Sequence, residues 1–212
     1  IAQVFFQRAA EAKREGTLDI LVENVFRVLV IIGLFPILIL TLIGGDLFSV
    51  VFGGLWQDAG IFAQILGIWT FIWFISSPLS TIYIVLEKQD FGFQYNVANL
   101  ITRLLSLIIG GIMQSVYIAL FLFGLSGIIV YGYLCLSMMK FSGVSWSRMK
   151  KIILPNLFYF TPVGALLIGL KIFNFNSIFL VFIACIITII YYLYILKTDT
   201  QLRTILNQVI LS

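Results

Sequence analysis

Apolar residues fill most of the chain in long runs, and short polar stretches separate one run from the next. An α-helix needs about 20 consecutive apolar residues to cross the hydrocarbon core of a bilayer. Runs of that kind predict six helices, over residues 21–43, 61–86, 95–113, 115–139, 152–173 and 176–196. The fold class that follows is all-α: an integral membrane protein built as a polytopic helical bundle.

The first 20 residues are interpreted as the end of a preceding helix and a loop. Ile1 to Phe6 reads as the last turns of a helix that began earlier, which suggests a fragment of a longer protein. Gly16 closes a short amphipathic helix, and Asp19 is a candidate cap for the next one.

Residues 21–196 are predicted to form the transmembrane region, and residues 197–212 a tail. The longest loops are predicted over Gly44 to Gly60 and Phe141 to Lys151. Neither is long enough to hold a separate domain. Any activity must therefore lie within the helices or at their ends.

The composition supports the membrane interpretation and excludes several functions. Hydrophobic residues make up 61% of the 212 positions and charged residues 10%, against about 25% charged in a soluble domain. The chain has no histidine, the commonest general base and metal ligand, and Cys135 and Cys185 fall in apolar runs that favour buried structural thiols. No glycine-rich phosphate loop indicates nucleotide hydrolysis. We expect neither enzymatic activity nor a cofactor or metal.

The basic residues lie unevenly about the predicted spans. Short loops rich in Lys and Arg remain cytoplasmic. On the opposite side of the membrane, the only basic residue is Lys171, at the edge of a span, and the loop over Gly44 to Gly60 carries Asp46 and Asp58. Both ends of the chain are therefore predicted to be cytoplasmic. This sidedness explains the net charge of +4 better than nucleic-acid binding does. The basic residues assigned to the cytoplasmic side are Arg8, Lys13, Arg14, Lys88, Lys140, Arg148, Lys150, Lys151, Lys197 and Arg203.

Arg103 is the residue that most needs an explanation. It follows Tyr95 by eight residues inside an apolar stretch that ends at Met113, so its Cα lies roughly 12 Å inside the helix. Arginine at such a depth costs about 2.5–3.5 kcal/mol on the lenient insertion scale. We therefore expect Arg103 to face an internal polar cavity. A polar stripe recurs at helical spacing on the same face: Asn96, Asn99, Arg103, Ser106 and Gly110.

The second predicted helix carries a similar stripe, formed by Trp69, Trp73, Ser76, Ser80, Tyr83 and Glu87. Two facing stripes would line a shared water-filled cleft. The alternative is that Ser76, Ser80, Ser106 and Gly110 only allow close packing between helices. Arg103 itself could instead pair with a structural partner.

Gating and coupling residues are expected near the helix ends. Pro36, Pro78, Pro155 and Pro162 fall within or at the start of helices and favour kinks, and Pro78 is the best placed to break one. Glu23 and Arg27 are four residues apart and are predicted to pair. Acidic residues are missing from the middles of the predicted spans, so an ion-coupling site would either lie upstream of this sequence or use Glu23 or Glu87, the latter beside Lys88.

These residues together give the chain a family resemblance. QVFFQRAAEAKREG (3–16), GGDLFSVVFGGLWQDAG (44–60) and SPLSTIYIVLEKQ (77–89) precede the stretch from Asn96 through Arg103 to Gly110 and Gly111. In this order they resemble the C-terminal part of the polysaccharide biosynthesis flippases, which belong to the multidrug/oligosaccharidyl-lipid/polysaccharide exporter superfamily. The resemblance covers about the first 115 residues.

The resemblance implies a two-lobed transporter of which these six spans are part of one lobe. It implies translocation of an undecaprenyl-pyrophosphate-linked oligosaccharide across the bacterial inner membrane by alternating access, for surface polysaccharides such as O-antigen lipopolysaccharide. Partners would be the lipid-linked oligosaccharide, membrane lipids, and glycan polymerase and chain-length machinery. Arg103 would bind the diphosphate, the Asn and Ser side chains the sugar hydroxyls, and Trp69 or Trp73 a sugar ring.

Three other functions remain open. A drug or cation exporter of the same superfamily would line its cavity with carboxylates, which Arg103 opposes. A glycan-assembly enzyme would need catalytic His or Asp clusters on a sizeable loop. A scaffold subunit without transport would hold Arg103 paired and buried.

Overall fold

The computed structural model describes residues 2–199, with side chains from Phe5 onward. All regular elements in this range are helical: α1 (Ala2–Glu15), α2 (Leu18–Phe52), α3 (Gln57–Leu79), α4 (Ile82–Val85), α5 (Gln89–Ile112), α6 (Val116–Phe141), α7 (Trp146–Ile172) and α8 (Ser177–Thr198). A 3₁₀ turn, Gly54–Trp56, precedes α3. The interpretation of Ile1 and the prediction for the tail beyond Asp199, which includes Arg203, lie outside the described residues.

The expected all-α polytopic architecture is confirmed. Within residues 2–199, six helical segments are long and apolar enough to cross a membrane, and they match the six predicted spans in order. Gly16 ends α1 with a φ of +73°, a conformation that glycine adopts without steric strain. Which end of the bundle faces the cytoplasm stays a prediction.

The loop predicted over Gly44 to Gly60 is wrong over most of its length, because α2 runs to Phe52 and α3 begins at Gln57. α2 continues for 35 residues to Phe52, with a kink where Ile43 leaves helical geometry (φ −125°, ψ 18°). Gly44 and Gly60 lie at a close contact of α2 with α3, where a Cβ on Gly44 would stand 2.6 Å from the Gly60 carbonyl oxygen. These glycines allow two helix backbones to touch, which the sequence alone did not distinguish from loop flexibility.

α2 is the central helix of the fold. On one side it packs against α3, which packs in turn against α6, and α6 packs against α5. On the other side α2 packs against α7 and α8. Two apolar clusters form the core. The first contains residues of α1, α2, α3 and α4, the end of α6 and the start of α7, and the second joins the second half of α2 to α7 and α8.

The proline predictions have mixed outcomes. α3 ends at Leu79, directly after Pro78, and the helix resumes as α4 after Ser80 and Thr81. In α2 the non-helical residue is Ile43, seven residues beyond Pro36. The break near Pro78 agrees with the sequence, whereas the kink in α2 has a cause other than proline.

Candidate functional site

The polar stripe of α5 faces α6. Ser106 and Gly110 are buried, Asn99 and Arg103 are half-buried, and Asn96 is exposed. The Ser106 hydroxyl donates to the Thr102 carbonyl (2.7 Å) and lies 3.3 Å from the Ser126 hydroxyl of α6. Ser106 and Gly110 therefore serve helix packing, as the alternative interpretation expected. The opposite face of α5 is exposed Leu and Ile.

Arg103 lies in the seam that α5 forms with α6. Its Nη1 donates to the Phe123 carbonyl oxygen of α6 at 2.8 Å, and its Nε donates to Asn99 Oδ1 at 3.3 Å. The guanidinium carbon stands 3.5 Å from the centroid of the Phe123 ring, 4.6 Å from Trp69 and 5.7 Å from Tyr131. Three aromatic rings, contributed by α3 and α6, thus surround the cation, and each attracts it through the negative face of its π-system.

Two hydrogen-bond donors in this seam have no acceptor. Arg103 Nη2 and Trp69 Nε1 are both buried and make no hydrogen bond within the described part of the chain. Both lie against Gly127 of α6, where an added Cβ would stand 2.8 Å from Arg103 Nη2 and would overlap the Trp69 ring. An unsatisfied buried donor costs about 1–3 kcal/mol, so the hydrogen bonding of this seam is incomplete.

No carboxylate neutralises Arg103. Among residues 5–199, the acidic partners of ion pairs are Glu11, Asp19, Glu23, Asp46, Glu87 and Asp199, and each pairs with another cation. Among the described residues, the contacts of this guanidinium are a carbonyl, an amide oxygen and the three aromatic residues.

The predicted cleft between the stripes of α3 and α5 is only partly formed. α6 packs against both helices and separates most of their length, so the stripes meet at Trp69 and Arg103. The Ser76 hydroxyl is buried and donates to the Ile72 carbonyl at 2.6 Å, and the Ser80 hydroxyl donates to the Ser77 carbonyl at 2.7 Å. Both hydroxyls thus bond to backbone carbonyls of α3. Trp73 is 44% exposed.

Glu23 and Arg27 have different partners from those predicted. Glu23 pairs with Arg148 Nη1 at 2.8 Å, and Arg27 pairs with Asp199 at 2.6 Å. The same Arg148 nitrogen also reaches Asp19 at 3.1 Å. These contacts join the start of α2 to the start of α7 and the end of α8, over separations in sequence that a local pattern does not report.

The remaining gating candidates lie at the same end of the bundle. Glu87 is exposed, has a φ of +60°, and stands 3.6 Å from Lys13 of α1. Lys88 Nζ lies 3.7 Å from the centroid of the Phe141 ring at the end of α6. Pro78 lies at the break between α3 and α4. None of the three contacts Arg103.

The kink in α2 is stabilised by Gln64 of α3, a residue that the sequence analysis missed. In a regular helix the Gly45 N–H would bond to the Thr41 carbonyl. Here Gln64 Nε2 donates to the carbonyls of Thr41 (3.1 Å) and Leu42 (2.8 Å), and Gln64 Oε1 accepts from Gly45 N (3.3 Å). A signal was present, because Gly60, Gln64 and Gly67 recur at helical spacing.

A second polar cluster lies beside the kink. Asp46, placed in a loop by the sequence, lies within α2 and pairs with Lys171 of α7 at 3.1 Å. It also accepts a hydrogen bond from the Ser177 hydroxyl at 2.8 Å, while Lys171 Nζ lies 3.4 Å from the Leu42 carbonyl. Three helices, α2, α7 and α8, are joined at the kink.

No protein-family model, curated protein or solved structure matches the chain.

Proposed function

We propose that this chain is part of a membrane transporter that moves a lipid-linked oligosaccharide across the bilayer by alternating access. The proposed cargo is the undecaprenyl-pyrophosphate-linked unit implied by the resemblance in the first half of the chain. The observation that carries the proposal is Arg103: a cation deep in a spanning helix with no carboxylate partner among the described residues.

The seam around Arg103 fits a state without cargo. Its guanidinium has one nitrogen, Nη2, without a hydrogen-bond acceptor in the described part of the chain, and the neighbouring Trp69 indole N–H also lacks one. A diphosphate would offer acceptors to both, and guanidinium binds phosphate oxygens through charge-assisted, two-pronged hydrogen bonds. On binding, the guanidinium would replace its contacts with the Phe123 carbonyl and the aromatic rings by hydrogen bonds to the anionic diphosphate. Asn96 and Trp73, exposed along the same faces of α5 and α3, are placed to contact the sugar.

The kinked α2 supplies a candidate hinge for alternating access. Discontinuous helices beside a polar midplane site recur in secondary transporters. α2 lies between the group α3, α6 and α5 and the group α7 and α8. A change of bend at Ile43 would change the angle between the two parts of α2, which α3 contacts on both sides of the kink, at Gly33 and at Gly44. We propose that this change of angle rearranges the helices that pack on α2. The chain would act on its cargo by translocation alone, without bond chemistry.

The test is to replace Arg103 by Lys, Met and Ala in the full-length protein and to measure surface polysaccharide at matched protein levels. We expect the Met and Ala variants to abolish export and the Lys variant to retain part of it, because Lys keeps the positive charge but lacks the two-pronged hydrogen bonding of a guanidinium. Normal export by the Ala variant would exclude the proposal.

A structural role for Arg103 is the second candidate, and the 2.8 Å bond to the Phe123 carbonyl favours it. In that case a non-transporting subunit would use Arg103 to join α5 to α6. Cysteine at position 103, in a background lacking Cys135 and Cys185, separates the two roles. Reaction with a water-soluble thiol reagent supports transport. No reaction, matching a control cysteine at Leu107 on the exposed apolar face of α5, supports the structural role.

A further inference from the structure

A groove opens at the turn between α6 and α7, away from Arg103. Its volume is about 400 Å³, within the range of about 300–1,000 Å³ typical of small-molecule pockets. Val144 and Met149 form a buried apolar floor, and Lys140 and Trp146 are exposed at the rim. The groove thus combines an apolar floor with a cationic rim.

The positive charge at this rim is not compensated. Lys140 is exposed, Lys150 Nζ lies 5.4 Å from the centroid of the Trp146 ring, and Lys88 Nζ lies over Phe141, the residue after Lys140. Within the described side chains, none of these three lysines forms an ion pair with a carboxylate.

Arg148, in the first turn of α7, uses the nearest carboxylates. It pairs with Asp19 and Glu23, so these acids neutralise a charge on the inner side of α7. The lysines on the outer side have no carboxylate partner among the described side chains. A ligand that matches this groove is therefore anionic.

The position of the groove identifies the class of anion. It lies where α6 ends and α7 begins, at the end of two membrane-spanning helices, with a Trp side chain at its rim. Basic pockets at such interfaces bind the head groups of anionic lipids, and Trp prefers the same depth. A free phosphate ion would use the lysines but gain nothing from the apolar floor.

We propose that the groove lined by Lys140 and Trp146, with Lys150 beside the Trp146 ring, binds the head group of an anionic glycerophospholipid from the surrounding bilayer. The phosphate contacts the two lysines, and the glycerol backbone packs against Trp146 and the floor. This site is independent of the proposed transport cargo.

The experiment uses the full protein in lipid nanodiscs that contain brominated phosphatidylglycerol or brominated phosphatidylcholine, since bromine quenches nearby Trp fluorescence. The contribution of Trp146 is the difference between wild type and Trp146→Phe. We expect brominated phosphatidylglycerol to quench this contribution at a lower mole fraction than phosphatidylcholine. Lys140→Gln and Lys150→Gln should each weaken the preference about fivefold, and the double variant about 25-fold.

Lys151→Gln is the matched control, because it removes the same charge one residue further along α7, whereas Lys150, four residues from Trp146, shares the Trp146 face of the helix and lies near its ring. It should leave the preference unchanged. Native mass spectrometry of wild type and of the double lysine variant, both with Trp146 in place, counts retained phosphatidylglycerol independently and should show a loss in the variant. Equal quenching by the two lipids, an equal effect of Lys151→Gln, or relief of quenching by soluble glycerol phosphate would each overturn the proposal.

Discussion

Gln64→Leu is expected to destabilise the bundle by removing the side chain that spans the α2 kink. Leucine has a similar size but neither donates nor accepts hydrogen bonds. Three hydrogen bonds are lost, those to the Thr41 and Leu42 carbonyls and from the Gly45 amide. Interhelical bonds in a membrane protein average about 0.6 kcal/mol, which gives a loss of about 2 kcal/mol, or about 30-fold in the folding equilibrium.

Two features of the structure limit this magnitude. Lys171 Nζ also approaches the Leu42 carbonyl at 3.4 Å, so one of the three backbone groups keeps a partner. α2 can also regain regular backbone hydrogen bonds by straightening at Ile43, because the Gly45 amide would then donate to the Thr41 carbonyl. The variant should therefore be less stable, and its α2 should be straighter.

Both consequences can be measured on the purified protein. Reversible unfolding in mixed micelles gives the change in free energy, with Gln94→Leu, at an exposed position of α5, as the control for the substitution itself. Electron spin resonance between labels at Ile32 and Val51, exposed positions on either side of the kink, reports its angle. If Gln64→Leu is as stable as the control and the distance is unchanged, Gln64 does not hold the kink.

Two glycine substitutions test the close helix contacts. Gly127→Ala places a Cβ 2.8 Å from Arg103 Nη2 and into the Trp69 ring, so overpacking should cost about 1–3 kcal/mol in an unfolding titration; Gly132→Ala in the same helix has nothing within 4 Å and should be neutral or slightly stabilising. Gly60→Ala places a Cβ 2.7 Å from the Gly45 Cα, a backbone atom that cannot move alone, and should destabilise by a similar amount. Stability equal to that of Gly132→Ala in either variant would contradict the packing described for it.

The resemblance and the structure bear differently on the proposed function. The resemblance supplies a cargo. Within residues 5–199, the structure supplies a cation without a carboxylate partner, two unsatisfied donors and a kinked central helix. Arg103 lies in a packed seam rather than in the open cleft that its depth suggested. The export and accessibility experiments therefore decide between a cargo site and a structural contact.

The stripe of α5 shows how far a helical pattern can be read. Its face was predictable, because residues three and four apart share one side of a helix. Its partner was not, because the Phe123 carbonyl and the Trp69 ring belong to other helices. The α6 residues that complete the seam, Gly127 and Tyr131, were missed although they stand four residues apart.

The sequence by itself determined the six spans and the end of α1 at Gly16, because bilayer thickness and local backbone preference act over about 20 neighbouring residues or fewer. Only the tertiary structure decided that α2 runs through the expected loop, that Gln64 bridges its kink, and that Glu23 pairs with Arg148. These outcomes depend on contacts between residues far apart in the chain: Gln64 and Leu42 are separated by 22 positions, and Glu23 and Arg148 by 125. Such pairs meet only when whole helices pack, and helix packing is set by the shape of both faces together.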